Sequence, residues 1–169
     1  MRRWLLVFLI GIATPFIVLG VCGTLGYLPV RATSPPPSKL ESMIAMRSVD
    51  ARIEREAKGL VNPLKPSEAT LLAGMKLYRN GCAGCHGAPG KPSAWGEKNF
   101  YPRVPQFADE LPDMKDAEMF LIVKHGIRYT GMAGWDGMMK DEEIWSVVTF
   151  LSRLGSLPPS VAGAWTAGP

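Results

Sequence analysis

The sequence predicts an all-α chain, and three observations carry that prediction. Apolar residues recur at spacings of three and four around 40–57, 71–78 and 144–151. No stretch of any length alternates with the period of a strand. Glycine and proline gather mainly between the periodic stretches. At 169 residues the chain has room for one domain with additions.

The first element is not globular. From Trp4 to Val30 runs a stretch of 27 residues without a charge. As a helix it would cover roughly 40 Å at about 1.5 Å per residue, whereas a bilayer core asks for about 20 residues. Pro15 and several glycines interrupt it, which transmembrane helices tolerate. Arg2 and Arg3 precede it and favour a cytoplasmic N-terminus. The rival is a cleavable signal peptide, whose apolar region is about 7 to 15 residues. A small-residue pattern at Val30-Arg31-Ala32 suits cleavage, but the length favours an uncleaved anchor over residues 1–30. Cys22 reads as a small apolar side chain, because the bulky Val21 before it fits a lipobox poorly.

Residues 31–66 form the second segment. Pro35-Pro36-Pro37 predicts an extended, semi-rigid spacer. Met43, Met46, Val49, Ile53 and Ala57 then line one face of a helix over 40–57. That face suits packing on its own domain, or docking on the membrane or a partner subunit. Setting aside Arg2 and Arg3 leaves 17 basic residues against 15 acidic, a net of +2, and no basic run. The charge therefore gives no reason to expect nucleic acid as a partner.

Residues 67–155 hold the domain proper. Ser67 caps a helix whose stripe is Leu71, Leu72, Met75 and Tyr78. This helix runs into Cys82-Ala83-Gly84-Cys85-His86. A glycine- and proline-rich loop follows from Gly87 to Pro105. A helix is predicted over Asp116–His125, stopped by Gly126 in a left-handed cap. The last helix runs from Asp141 to Leu154, with Asp141, Glu142 and Glu143 suited to its positive N-terminus. Beyond it, Pro158-Pro159 and several Ala and Gly predict a flexible tail over 156–169.

The pentad at 82–86 carries the chemistry. Two cysteines three apart, followed at once by histidine, are the signature of c-type haem attachment. Each thiol can form a thioether to a haem vinyl group, and the imidazole can ligate iron. A structural zinc site asks for four ligands, and the chain offers only Cys22 and His125 beyond the pentad. A redox dithiol belongs in a βαβ context, which is absent from the pattern.

A second axial ligand must come from elsewhere. Five methionines follow the motif: Met114, Met119, Met132, Met138 and Met139. Met119 lies in a helix stripe and reads as core. Met132 has Gly131 before it and Gly134 two residues on, so its backbone can approach a flat macrocycle. Met138 and Met139 compete with it. His125, beside a helix-ending glycine, reads as an exposed residue complementing the helix dipole.

With these residues in place, Leu71–Leu154, roughly half the chain, resembles a class I mono-haem c-type cytochrome domain of the bacterial kind. Gly74 and Tyr78 resemble its small and aromatic positions in the first helix. Cys82, Cys85, His86 and Gly87 match the haem motif. His125 to Trp135 is similar to the family's distal loop, in which Met132 takes the place of the distal ligand. Asp141-Glu142-Glu143-Ile144-Trp145 and Phe150-Leu151 resemble its terminal helix. The resemblance also places Pro105 and Phe107 in the loop below the haem, where the Pro105 carbonyl accepts the His86 Nδ1 proton. Ala133-Gly134 stands where the family has Pro-Ala, which leaves Met132 less constrained and weakens the expected iron–sulfur bond.

The resemblance implies one covalent haem c, with His86 and Met132 as iron ligands. It implies an electron carrier rather than an enzyme. The expected setting is a respiratory or photosynthetic chain at the bacterial inner membrane: single-pass, with the haem domain periplasmic. Donors and acceptors would be a quinol-oxidising complex, a dehydrogenase or a terminal oxidase. The alternatives are a permanent haem subunit of a respiratory oxidoreductase, or a ligand sensor or peroxidase if Met132 leaves the iron.

Overall fold

A computed structural model describes residues 2–28, 30–31, 37–107 and 109–167. The small-residue pattern ending at Ala32 and the spacer at Pro35-Pro36 lie outside the described residues. The chain divides into two units, Met1–Pro37 and Ser38–Pro169.

The first unit is one helix, α1 (Arg2–Thr24), with Pro15 inside it and no buried residue. It is long and apolar enough to cross a membrane. The uncharged stretch runs on to Val30, but the helix stops at Thr24. Gly26 then takes a positive φ of 76° in the following turn, a conformation cheap only for glycine.

The second unit is all-helical, with no strand among its described residues beyond two isolated bridges. Its elements are α2 (Lys39–Glu56), α3 (Glu68–Gly81), α4 (Ala83–His86), α5 (Ala94–Lys98), α6 (Asp116–His125), α7 (Asp141–Ser152), a 3-10 turn over Leu154–Ser156, and α8 (Pro159–Thr166). The caps follow the sequence. Ser67 Oγ accepts from Thr70 N at 3.2 Å. Glu118 and Glu143 carboxylates reach back to accept from the N–H groups of the N-cap residues Lys115 and Lys140, at 3.1 and 2.8 Å.

α3 and α7 form the centre, and Gly74 is why they can. A Cβ there would collide with the Ser146 backbone, so only glycine allows this crossing. Around it Met75 and Tyr78 pack with Ile144, Val147, Val148 and Phe150, while α6 adds Met119, Phe120 and Val123. Phe120 and Trp145 stack at 4.0 Å between ring centroids.

Two boundaries differ from expectation. Residues 38–66 belong to the second unit, where Ile53, Ala57, Leu60 and Leu64 pack against the core. Asn62 Nδ2 also donates to Asp116 Oδ2 at 2.7 Å and to Thr149 Oγ1 at 2.9 Å. The C-terminal half of the α2 stripe thus serves its own domain, while Leu40, Met43, Ile44 and Met46 stay exposed.

The flexible tail is the second correction. Pro159–Thr166 is a helix. Pro159 sits at its first position, where a missing N–H costs nothing, so the paired prolines start a helix rather than prevent one. Val161 and Trp165, four apart, are buried on one face. Trp165 meets Tyr78 and Phe150 edge-on at 5.6 and 5.1 Å. Arg79 donates to the Ala164 and Trp165 carbonyls at 2.8 and 3.0 Å.

Candidate haem site

α3 delivers the pentad. Its C-cap is Cys82, whose N–H donates to the Tyr78 carbonyl at 2.7 Å. The chain then makes one more turn, α4. Cys85 N and His86 N both donate to the Cys82 carbonyl, at 3.1 and 2.9 Å. One turn therefore holds both thiols and the imidazole within reach of one planar group. Gly87 ends the turn with φ of 76°, and a Cβ there would crowd the Gln106 amide and the Pro92 backbone.

The proximal side is built below His86. Nδ1 lies 3.0 Å from the Pro105 carbonyl oxygen. A carbonyl only accepts, so Nδ1 carries the proton and the Nε2 lone pair is left for a metal. Burial pushes the imidazole below its usual range, against the opposing pull of the Pro105 carbonyl, so the ring is neutral, the form that binds metals. Phe107 stacks on the ring at 4.8 Å and 1°, and its N–H donates to the His86 carbonyl at 2.9 Å. Pro105 and Phe107 both stand beside His86.

The Gly87–Pro105 segment is more ordered than its composition implies. It contains α5, capped by Ser93 Oγ accepting from Gly96 N at 3.1 Å. Gly96 is pressed against the Cys85 backbone, leaving no space for a Cβ. Phe100 packs on Gly131, next to Met132. Tyr101 Oη and Ser42 Oγ lie 2.5 Å apart and tie the same loop to α2.

The distal loop follows α6. Gly126 takes φ 68° and ψ −173°, a glycine-only region rather than the left-handed helical cap that was expected. Its Cβ would strike Met132 O and Gly134 N, both 2.6 Å away. The loop is cross-tied through Met132 itself. Ile127 N donates to Met132 O at 3.0 Å, and Met132 N donates to Thr130 Oγ1 at 3.1 Å. These bonds do the restraining that a proline at 133 would otherwise do.

Met132 is half-buried and packs on the core together with Cys82, Phe107 and Trp135. The Trp135 ring lies against Gly81, 2.7 Å from where a Cβ would stand, and so brings this loop to the mouth of the motif. Of the competitors, Met138 is 77% exposed and Met119 is core. Met139 packs on the core as well. His125 is exposed, as expected for a helix C-terminus.

The residues fit a covalent haem. Two thiols, a neutral imidazole with a free Nε2 and a thioether in an apolar wall are the right donors. They fit a redox dithiol poorly, because burial and then Cys85 push the Cys82 thiol up to about 11, away from thiolate chemistry. Among the described residues no three His, Cys, Asp or Glu side chains converge as for a bare metal ion.

A family model described as cytochrome C oxidase, cbb3-type, subunit III matches residues 69–151. This stretch is a c-type cytochrome domain. A chain of the Kuenenia stuttgartiensis reducing HAO-like protein complex Kustc0457/Kustc0458 is 25% identical, with a TM-score of 0.46, over 57% of this chain. The alignment spans about half, 47%, of that chain. No curated protein matches. The cofactor of the cytochrome domain is covalent haem c, and its work is electron transfer.

Sequence reasoning missed Gln106, which lies between the two loop residues it named. The signal available was an amide wedged between Pro105 and Phe107. The cytochrome domain buries Gln106 almost completely, at 3% exposure.

Proposed function

We propose that this chain is a membrane-tethered electron carrier that passes single electrons through a His/Met-ligated haem. In this reading Cys82 and Cys85 would hold the group by thioethers, and His86 Nε2 and Met132 Sδ would ligate its iron. The haem supplies a one-electron ferric/ferrous couple whose potential the methionine raises. With both ligands in place the iron would offer no open site to a substrate. Electrons then leave and enter by the outer-sphere route, and the protein's task is to orient, wall off and tune. Phe107 and Pro105 fix the His86 ring, while Thr130, Ile127 and Phe100 hold the distal loop.

The observation that carries this reading is the commitment of His86 Nδ1 to the Pro105 carbonyl at 3.0 Å, one turn after two cysteines. α1 is the tether, with Arg2 and Arg3 inside and the cytochrome domain on the periplasmic face of the bacterial inner membrane. Its donors and acceptors are a quinol-oxidising complex, a dehydrogenase or a terminal oxidase.

A second reading has one observation in its favour. The matching family model is that of an oxidase subunit, and the exposed Leu40, Met43, Ile44 and Met46 suit assembly. Purification in mild detergent separates the two. A carrier emerges alone and remains in carbonate-washed membranes beforehand. A permanent subunit brings stoichiometric partners. A soluble haem protein beginning near Thr33 would end the tether.

A further inference from the structure

We propose that Gln106 is the positioning residue that sets the donor strength of His86, by fixing the Pro105 carbonyl against Nδ1. The proposal rests on reading His86 as the proximal ligand.

Three segments meet on the Gln106 side chain. Its Oε1 accepts from Ser93 N at 2.7 Å. Its Nε2 donates to Cys85 O and to Val104 O, both at 3.0 Å. Both amide protons and the amide carbonyl are therefore used, inside a site with almost no water contact. Burying an amide is costly unless it is satisfied, and here it is satisfied only by the motif and the two strands of loop beneath it.

The backbone around Gln106 holds the histidine. Pro105 O accepts from His86 Nδ1, and Phe107 N donates to His86 O. Pro105 has no N–H and cannot be tied down through its own nitrogen. The amide does this instead, by clamping the carbonyls of Val104 and Cys85 from one side chain. Gln106 O is itself held by Asp109 N and Glu110 N, at 3.0 and 2.8 Å. The geometry asks for two donors and one acceptor at this reach. Glutamate lacks the donors when ionised, methionine lacks all three, and asparagine is one carbon short.

The consequence is electronic. A short, fixed Nδ1–H···O=C bond makes imidazole a stronger donor, and a stronger donor favours ferric iron. Releasing the clamp weakens that bond, so the reduction potential should rise.

The test is Gln106→Met and Gln106→Leu in the full-length haem protein, read by redox titration and by the His86 Nδ1–H proton resonance. The expected result is an upward shift of potential in both, at pH 8, with Nδ1–H moving toward a weaker hydrogen bond and haem still attached. A purely structural role would lower the denaturation midpoint and leave potential and resonance in place, which overturns the proposal. A downward shift overturns it as well. The ligand reading is checked separately on the native protein, where a His86 resonance without the shifts of an iron-bound ring would remove it before any variant is made. If neither variant folds, exchange of the Gln106 Nε2 protons in the native protein decides. Exchange slowed well below that of a free amide supports the clamp, and exchange at solvent rate overturns it.

Discussion

The Tyr78 hydroxyl donates to the Gly87 carbonyl at 2.7 Å, from a side chain with 0% exposure. One bond thus spans the whole haem motif, from the last turn of α3 to the residue after His86. Burial, and then the nearby Cys82, hold the phenol well above its usual range, so it remains a donor under all ordinary conditions.

Tyr78→Phe should therefore cost about 1–3 kcal/mol of stability, because it leaves a buried carbonyl without its donor. Denaturant unfolding of the haem-loaded protein measures this. A variant as stable as the parent would show that the carbonyl finds another donor.

Met132→Ala should abolish the near-infrared sulfur-to-iron band of the oxidised protein, lower its potential and admit carbon monoxide to the reduced iron. Axial ligand identity spans about 0.8 V across haem proteins, so the fall should be plain. Met138→Ala should leave the band intact, since Met138 is on the surface. Met139→Ala is the sharper control, because Met139 packs on the core. Loss of the band in Met139→Ala, with survival in Met132→Ala, would reassign the ligand.

Two glycines should respond in opposite directions. Gly96→Ala forces a methyl into the Cys85 backbone and should destabilise by about 1–3 kcal/mol or more. Gly163 lies inside α8 with open space around it, so Gly163→Ala should stabilise by about 0.5–1 kcal/mol. Thermal unfolding of the two variants beside the parent gives both signs.

Trp165→Ala should cost about 3–5 kcal/mol, as for a large aromatic lost from a core. A change below about 0.5 kcal/mol, the range of surface substitutions, would mean that α8 does not dock in solution.

What could be read in the sequence was whatever a local signal specifies. Cys82, Cys85 and His86 declare themselves by spacing, α7 by apolar period and an acidic first turn, and α6 by the glycine that ends it. Ser67 marked its helix start for the same reason. The misses depended on distant partners. Pro158-Pro159 looks like a breaker until Tyr78 and Phe150 supply a surface for Trp165. Gln106 looks like a surface amide until Ser93, Cys85 and Val104 arrive around it. The absent proline after Met132 suggested a loose ligand loop. The cross-ties from Ile127 and Thr130 are tertiary details that no periodicity announces.

The walls that bury the motif are made after it. His86 leaves the ribosome about 55 residues before α7 begins, and α8 comes later still. At about 5–20 residues per second, that lag is roughly 3–11 s. Through that interval Cys82 lacks the C-terminal part of the core on which it packs, and both thiols remain open to chemistry. Nascent chains arrested near Lys140 should have cysteines that react freely with a maleimide probe, whereas chains released at full length should react slowly at Cys82. How far synthesis has run past the motif thereby decides how open the two thiols are.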